Sequence, residues 1–327
     1  MRLRVILFLM KIVGRLTLVL CVTLALWAGN AHALDKEILN SVVRIKPDWS
    51  LAARGRDATG KPRDPQGSGI AVMSGGYIAT NVHVIGDATD IDVMTEDGRV
   101  LKAAIIGRDK MTDIALIKVD ADLPILETAP TPGLAEAVCA IGNQFGLGLS
   151  VTCGVVSAVG RSGMGFNPVE DFIQTDAAVN PGGSGGALVD MSGRLVGMVA
   201  AIFTKSSDAD IGVNFATSVP LLMRVVNDLK AHGHVVRGVA GFKAGPLPPS
   251  MAHAGGGAMV ESVVVDGPAF VAGLEAGDVI THIDGAAVSS MPVLEAMMFK
   301  KRPGETMTLD TIRGEERRRL TIKLGGA

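Results

Sequence analysis

The stretch N-P-G-G-S-G-G-A at residues 180–187 places one serine, Ser184, among four glycines. A serine hydroxyl is a weak nucleophile unless a base takes its proton and hydrogen-bond donors hold the oxyanion formed by its attack on a carbonyl. Flanking glycines let backbone N–H groups turn toward such a site and let a substrate backbone approach closely. Taken alone, the stretch equally fits a glycine-rich turn, so its interpretation depends on whether the chain also supplies a base and an acid.

Short β-rich runs separated by turn signals occur before and after this stretch. They lie at residues 41–45, 69–73, 77–81, 91–95, 101–106, 114–119, 138–141, 151–159, 172–175, 195–202 and 212–216. Turns are indicated at Gly75-Gly76, Asp97-Gly98 and Ser192-Gly193. Many short strands at this spacing predict a mainly β fold, a barrel or a sandwich, rather than a parallel α/β sheet.

The C-terminal part of the chain has a different pattern. An amphipathic helix is predicted over 220–232, with Gly233 placed to cap its end. From Gly238 a separate module begins, with predicted strands at 259–265, 278–283, 306–313 and 318–324 and helices at 269–274 and 292–300. This order predicts a small independent α+β domain over 238–327.

The N-terminus has the pattern of an export signal. Basic residues within 1–15 precede the apolar run 16–27, which leads to the small-x-small pattern Ala31-His32-Ala33. The run is shorter than the roughly 20 residues of a membrane-spanning helix, so we expect a cleaved signal peptide over 1–33, with an uncleaved membrane anchor as the alternative. The formal net charge is −2, and the absence of a basic stripe argues against a nucleic-acid partner.

Two cysteines remain once such a signal is removed. Cys139 and Cys153 flank a candidate hairpin centred on Gly146, so they could face each other across two antiparallel strands. An exported protein meets an oxidising compartment, in which such a pair can form a disulfide. Two buried thiols are the alternative, and the sequence leaves both open.

Two residues upstream of Ser184 could serve as the base and the acid that a serine nucleophile needs. His83 follows the predicted strand 77–81, where a rigid scaffold can aim it, and Asp113 begins the alternating run 114–119. An acid at the end of a buried strand can fix the tautomer of an imidazole. The order His83, Asp113, Ser184 is that of chymotrypsin-type enzymes, and the α/β-hydrolase alternative requires a helix after the serine, which this sequence does not predict.

Several segments resemble the HtrA (Deg) family of serine proteases. They are T-N-V-H-V at 80–84, T-D-I-A at 112–115, A-I-G-N at 140–143 with F-G-L-G at 145–148, G-V-V-S at 154–157, G-R-S-G at 160–163, F-I-Q-T-D-A-A at 172–178 and the serine stretch 180–187. The resemblance implies a trypsin-like serine protease domain over 34–237, built of two perpendicular six-stranded β-barrels with the active site in their cleft. It implies that 238–327 form a single PDZ domain.

The resemblance also assigns catalytic roles. It implies Ser184 as the nucleophile, His83 as general base and then acid, and Asp113 as the residue that orients the histidine. The N–H groups of Gly182 and Ser184 would form the oxyanion hole. The family commonly has Asn where this chain has Gly183, so we expect an oxyanion hole that forms less readily at rest.

Specificity is predicted in part. Ala178 stands where trypsin-like enzymes that select basic residues carry Asp, so cleavage after Lys or Arg is disfavoured. Ala200, Ala201 and Ile202 should line the pocket and favour small or medium aliphatic side chains. Because such side chains are buried in folded proteins, we expect unfolded or damaged proteins as substrates.

The C-terminal module and one loop carry the expected regulation. Val239, Ala240, Gly241 and Phe242 match the loop with which PDZ domains of this family bind a C-terminal carboxylate, which predicts peptides with hydrophobic C-termini as ligands. By resemblance, Arg161 relays peptide occupancy to the active site. Family members form trimers, so a homotrimer is expected, and no cofactor or metal is.

The sequence therefore predicts an exported serine endopeptidase of the periplasm that acts in protein quality control and is gated by peptide binding to its PDZ domain. Two alternatives stay open. One is a chaperone-like adaptor that binds unfolded chains without cleaving them. The other is a membrane-anchored protease that makes the first cut in a stress-signalling cascade.

Overall fold

The computed structural model describes residues 33–49, 66–202, 212–248 and 256–326. A short 3-10 helix, Lys36–Ser41, leads into the first of two closed six-stranded antiparallel barrels. The strands of barrel one are β1 (Val42–Pro47), β2 (Gly67–Met73), β3 (Tyr77–Asn81), β4 (Ile91–Met94), β5 (Val100–Asp109) and β6 (Ile114–Val119). They pair in the order β1-β2-β3-β6-β5-β4, and a one-turn helix, α1 (Val82–Ile85), follows β3.

The second barrel has the same number of strands. They are β7 (Ala137–Gly142), β8 (Ser150–Arg161), β9 (Phe172–Thr175), β10 (Ala187–Asp190), β11 (Leu195–Ile202) and β12 (Asn214–Ser218). They pair in the order β10-β11-β12-β9-β8-β7. Two closed barrels confirm the predicted fold class, and closure removes the exposed sheet edges that an open sheet of this size would present.

Aliphatic side chains fill the interior of each barrel. In barrel one the fully buried residues include Ile45, Ile78, Ile91 and Ile117. In barrel two they include Val138, Ile173 and Leu188. The strand alternation places these residues inward and makes each barrel a rigid scaffold for the loops at its ends.

A helix packs against strands of both barrels. Helix α2 (Val219–His232) begins at Ser218, whose Oγ accepts the N–H of Leu221, and ends at Gly233, which adopts a left-handed φ of 75°. A left-handed residue is costly with a side chain and is therefore usually glycine at this position. The helix buries Leu222, Val225 and their neighbours against the barrels, as its amphipathic pattern predicts.

The C-terminal module is an antiparallel sheet with two helices. Its elements are β13 (Phe242–Pro246), β14 (Ala258–Val263), α3 (Pro268–Val271), β15 (Val279–Ile283), β16 (Ala286–Ala287), α4 (Met291–Phe299), β17 (Thr306–Arg313) and β18 (Glu316–Lys323). The main sheet has the order β13-β14-β15-β17-β18. Its own core includes Ile280, Leu294 and Leu309, and the predicted boundary at 237/238 falls between α2 and β13.

A buried ion pair stiffens this module. Asp278 is fully buried and receives hydrogen bonds from the guanidinium of Arg313 at 2.6 and 2.8 Å. Burial alone would raise the pKa of Asp278, but the hydrogen bonds from Arg313 and from the N–H of Glu275 outweigh it and hold that pKa below its usual value.

Ion pairs and hydrogen bonds join the module to α2. Asp228, which is 2% exposed, accepts a hydrogen bond from the N–H of Val236 at 3.1 Å and pairs with Arg302 at 2.8 Å. Arg224 donates to the carbonyl of Lys301 at 3.4 Å. The segment after α4 therefore contacts the C-terminal part of α2.

Cys139 on β7 and Cys153 on β8 are direct cross-strand partners. Their Sγ atoms are bonded, 2.05 Å apart, and Cys139 is fully buried. The bond spans the hairpin that carries residues 143–149, next to the serine loop described below.

We predict that replacing both cysteines with alanine lowers the free energy of unfolding by on the order of 3 kcal/mol, because a cross-link of this span restricts the unfolded chain by about that amount. Urea denaturation of the purified chain measures the change. Dithiothreitol should shift the wild-type midpoint in the same direction and leave the double variant unaffected. A wild-type midpoint that reductant does not move would contradict the prediction.

The structure differs from the sequence-based expectations at two local points. His83 follows β3 as expected, but it lies in a one-turn helix, α1 (Val82–Ile85), that the sequence does not indicate. Arg161 was expected in a loop but is the last residue of β8, opposite Phe172 of β9. The apolar run 16–27 lies outside the described residues, and every helix among the described residues is too short or too polar to cross a membrane.

Candidate active site

His83 and Asp113 form a close pair at one end of barrel one. The Nδ1 atom of His83 lies 2.5 Å from one carboxylate oxygen of Asp113, and the backbone N–H of His83 donates to the other oxygen at 2.9 Å. A carboxylate that contacts both the ring and the backbone of one histidine fixes the orientation of the ring and directs Nε2 away from itself. The His83 side chain remains half exposed and open to a substrate.

The backbone of Asp113 is held as tightly as its side chain. Asp113 has a φ of 57°, and its carbonyl accepts hydrogen bonds from the N–H of Val82 at 3.1 Å and from the amide of Asn81 at 3.0 Å. Aspartate tolerates this left-handed conformation better than most residues. The turn before β6 is therefore hydrogen-bonded to the start of α1. These bonds explain why the histidine lies in a helical turn and not at the end of β3.

Ser184 lies on the loop between β9 and β10, and this loop packs on barrel one. Its carbonyl accepts the N–H of Ser68 on β2 at 2.8 Å. A Cβ added to Gly185 would lie 2.0 Å from the carbonyl oxygen of Ser68 and 2.6 Å from Oγ1 of Thr80. The glycine is therefore required for close contact, and it brings Ser184 against β3, the strand that leads to His83.

The carbonyls around Ser184 are engaged in hydrogen bonds. The carbonyl of Pro181 accepts the N–H of Phe145 at 2.7 Å, and that of Gly183 accepts the N–H of Gly186 at 2.9 Å. In a trans peptide the N–H points opposite to the carbonyl, so the N–H groups of Gly182 and Ser184 are directed to the other side of the loop. Within the part of the chain that the structure describes, these two N–H groups donate to no backbone carbonyl.

Gln144 is a buried polar residue at this site that the sequence reasoning did not single out. Its Oε1 accepts the side-chain amide of Asn180 at 2.8 Å, and its Nε2 donates to the carbonyl of Ala178 at 3.3 Å. It is 6% exposed. Gln144 thus ties the segment before the serine to the β7–β8 hairpin. A polar residue inside an apolar and glycine-rich segment was the available signal.

The predicted specificity residues have different surroundings. Ala178 is partly buried, while Ala200 is 3% exposed and packs against Phe172 and Phe215. The side chains of Ala201 and Ile202 lie outside the described residues. The role of these positions in substrate selection stays a prediction.

The segment 162–171, between β8 and β9, is organised by one acid. The buried carboxylate of Glu170 accepts the N–H groups of Met164, Phe166 and Asn167 at 2.6 to 3.0 Å. The N–H of Val169 donates to the carbonyl of Met111 at 2.9 Å, two residues before Asp113. Arg161, just before this segment, donates to the side chain of Gln174 at 3.3 Å.

This segment also contacts the C-terminal module. Lys300, at the end of α4, forms an ion pair of 2.9 Å with Asp171. Pro292, near the start of α4, lies close enough to Gly163 that an added Cβ there would be 3.2 Å away. The segment 162–171 therefore touches both α4 and the turn that carries Asp113.

The predicted carboxylate loop precedes β13. Gly241 has a φ of 79°, and its carbonyl accepts the N–H of Val264 at 2.8 Å, while the carbonyl of Ala240 accepts the N–H of Ala269 at 2.8 Å. Helix α4 packs beside β13. The space between a backbone loop, a strand and a helix has the form in which an added peptide strand binds. Among the described residues no cluster of His, Cys, Asp and Glu is arranged to hold a metal ion.

Family models match both parts of the chain. A model of the trypsin-like peptidase domain matches residues 67–198, and a model of the PDZ domain matches residues 209–324. The first match falls on the two barrels, which carry the histidine–aspartate pair and the glycine-flanked serine, and identifies them as a trypsin-like peptidase domain. The second match identifies the C-terminal module as a PDZ domain.

Curated relatives agree with these matches. The serine endoprotease DegS of Escherichia coli (strain K12) is 36% identical over 79% of this chain and 76% of its own length. A probable periplasmic serine endoprotease, DegP-like, of Halomonas elongata is 38% identical over 83% of this chain. The chain spans 58% of the length of that DegP-like relative.

Solved structures give the same result. The HtrA-type protease AlgW with tripeptide has a TM-score of 0.72 at 36% identity, covering 88% of this chain and 94% of its own. The serine endoprotease from Yersinia pestis has a TM-score of 0.63 at 34% identity, covering 88% of this chain and 95% of its own. The chain belongs to the HtrA (Deg) family of trypsin-like serine proteases with a PDZ domain.

Proposed function

We propose that this chain is a serine endopeptidase in which Ser184 is the nucleophile, His83 the general base and acid, and Asp113 the residue that orients His83. The observation that carries the proposal is the double contact of Asp113 with the ring and backbone of His83, with the serine loop anchored on the same barrel. The relatives that bear the name serine endoprotease support it.

The proposed reaction is an acyl transfer through a covalent intermediate on Ser184. His83 takes the proton of the Ser184 hydroxyl as the oxygen attacks the scissile carbonyl, and the N–H groups of Gly182 and Ser184 bind the oxyanion. The imidazolium then gives its proton to the leaving amine and releases the C-terminal product. Water hydrolyses the acyl-enzyme by the same sequence, with His83 again acting first as base and then as acid. The Asp113 carboxylate stabilises the imidazolium at each step.

We propose unfolded or damaged proteins as the substrates. Ala178 leaves the proposed specificity pocket without a carboxylate at its base, so small or medium aliphatic side chains are favoured over Lys and Arg at the cut site. Extended, unfolded chains present such side chains to a cleft, whereas folded proteins bury them. The relatives named periplasmic support a site of action in the periplasm.

We also propose that peptide binding to the PDZ domain gates the protease. A peptide added between β13 and α4 acts on a helix whose ends contact segment 162–171, through Lys300 to Asp171 and through Pro292 to Gly163. That segment in turn contacts the Asp113 turn through Val169. Suppose that the peptide binds more tightly when these contacts take one arrangement than when they take another. The equilibrium between the two arrangements then shifts toward the first by the difference in the binding free energy of the peptide.

Degradation of β-casein by residues 34–327 tests the proposed function. Cleavage by the wild type, faster with peptides that end in hydrophobic residues and absent in Ser184→Ala, is the expected result. Casein that is bound but left intact under all peptides and temperatures would reject the enzyme and favour a chaperone-like binding protein. Light scattering tests the proposed homotrimer. Mass spectrometry of the N-terminus of the exported protein separates the cleaved periplasmic form from a membrane-anchored signalling protease.

We predict that Lys300→Ala reduces activation by peptide, measured as the ratio of kcat/KM with and without peptide. An ion pair at partly exposed positions contributes up to about 1 kcal/mol, so the ratio should fall by about two- to fivefold. The matched control is Lys301→Ala, because the side chain of Lys301 pairs with Asp284 inside the PDZ domain. An unchanged ratio, or an equal fall in the control, would refute the proposed route.

A further inference from the structure

Ser68 on β2 is a fully buried residue that connects the two barrels at the active site. Its Oγ donates to the carbonyl of Gly182 at 2.7 Å and accepts the N–H of Asn143 at 2.8 Å. Its N–H donates to the carbonyl of Ser184 at 2.8 Å, and its own carbonyl accepts Oγ1 of Thr80 at 2.7 Å. Every polar atom of Ser68 is thus engaged, three of these bonds with residues of barrel two.

These bonds complete the support of the oxyanion loop. Three successive peptide groups follow Pro181, and each has its carbonyl held by one donor. Phe145 holds the carbonyl of Pro181, Ser68 holds that of Gly182, and Gly186 holds that of Gly183. The donor at the middle peptide is a side chain of the opposite barrel, while the other two are backbone groups of barrel two.

Apart from Ser68, the middle peptide is held by one hydrogen bond within its own loop, from the N–H of Gly183 to the carbonyl of Asn180 at 2.9 Å. It joins Gly182 and Gly183, and Gly182 has a φ of 92°, a backbone conformation that residues with a side chain rarely adopt. With no Cβ on either side, the peptide can rotate at small steric cost. Such a rotation would redirect the N–H groups of its neighbours, because consecutive peptide planes share their Cα atoms.

We propose that Ser68 is a positioning residue for catalysis, whose hydroxyl fixes the peptide between Gly182 and Gly183 and thereby keeps the N–H groups of Gly182 and Ser184 aimed at the oxyanion. The proposal rests on the proposed role of Ser184. The same hydroxyl accepts the N–H of Asn143, at the start of the hairpin that supplies Phe145. Ser68 therefore sets two of the three supports.

A position that acts through the oxyanion hole affects the transition state more than substrate binding. Ser68→Ala should lower kcat on a peptide substrate by about ten- to a hundredfold, because small displacements of catalytic groups cost up to that much, while KM changes less than about twofold. Binding of a peptide aldehyde, whose hemiacetal oxygen occupies the oxyanion hole, should weaken by the same factor as kcat.

Thr95→Val is the matched control. Thr95 is a buried residue of barrel one whose hydroxyl bonds to Asp97 and to the carbonyl of Arg99, away from the serine loop. The control should lose stability as Ser68→Ala does but retain kcat and aldehyde affinity. Thr80→Val, which frees only the carbonyl of Ser68, should show a smaller fall in kcat and serves as the test variant if Ser68→Ala does not fold.

The outcomes distinguish a failure of the proposed role of Ser68 from a failure of the proposed role of Ser184. Loss of cleavage in Ser184→Ala with normal kcat and aldehyde affinity in folded Ser68→Ala would overturn the role of Ser68 alone. A rise in KM that accounts for the whole loss in kcat/KM would also overturn it, because a displaced oxyanion hole acts on turnover. Cleavage that persists in Ser184→Ala would instead reject the catalytic assignment on which the role of Ser68 rests.

Discussion

Ser184→Ala is expected to lower kcat for a peptide substrate by on the order of 10⁶. The variant lacks the oxygen that forms the acyl-enzyme, and the remaining donors cannot replace a nucleophile. At 1.36 kcal/mol per factor of ten, this corresponds to about 8 kcal/mol of transition-state stabilisation. Single-turnover kinetics with excess enzyme measures the residual rate.

The structure supplies a control for this substitution. Ser192 lies in the turn between β10 and β11, where its N–H donates to the side chain of Asp190. Ser192→Ala removes a hydroxyl from the same barrel and should retain wild-type turnover. Binding of unfolded casein should persist in Ser184→Ala, since the substitution removes only one oxygen. A fall in turnover of less than about a hundredfold would be inconsistent with Ser184 as the nucleophile.

Asp113→Asn is expected to lower kcat by about 10⁴. The side chain keeps its size, and the carbonyl of Asp113 can still accept from Val82 and Asn81. The amide, however, cannot accept the N–H of His83 and the proton on Nδ1 as the carboxylate does. The histidine then favours the tautomer with the proton on Nε2, which cannot take the proton of Ser184.

Nitrogen NMR of His83 distinguishes this cause from a general loss of structure. The proton should move from Nδ1 to Nε2 in Asp113→Asn, while the melting temperature changes little. Asp122→Asn is the control, because Asp122 is an exposed acid that accepts the N–H of Gly75 at a turn. A variant that keeps the wild-type tautomer and still loses turnover would argue that Asp113 acts in another way.

Local patterns predicted most elements of both barrels. The alternating runs at 77–81, 114–119, 172–175 and 195–202 correspond to β3, β6, β9 and β11, because strand period and turn residues are local properties. Helix α2 also follows from its apolar face and from Gly233. The family resemblance and the order of His83, Asp113 and Ser184 along the chain are enough to indicate the candidate triad.

The errors arise where long-range contacts override local pattern. The turn at α1 forms because Asp113, thirty residues away, bonds to the backbone of Val82 and His83. Arg161 continues β8 because β9 pairs with it. That Gly183 loosens the oxyanion hole at rest stays a prediction, and the structure shows the adjoining carbonyls held by Phe145, Ser68 and Gly186.

The sequence by itself determined the mainly β class, the separate C-terminal module and the residue types needed for acyl transfer, since these depend on periodicity and on the chemistry of single side chains. Only the tertiary structure decided how the catalytic groups are supported. Ser68 carries no distinctive pattern and Gln144 only a local one, and the importance of both comes from hydrogen bonds to residues 114 and 36 positions away, respectively. Such bonds exist only when two closed barrels pack and bury them, and a linear sequence does not state which buried polar groups will meet.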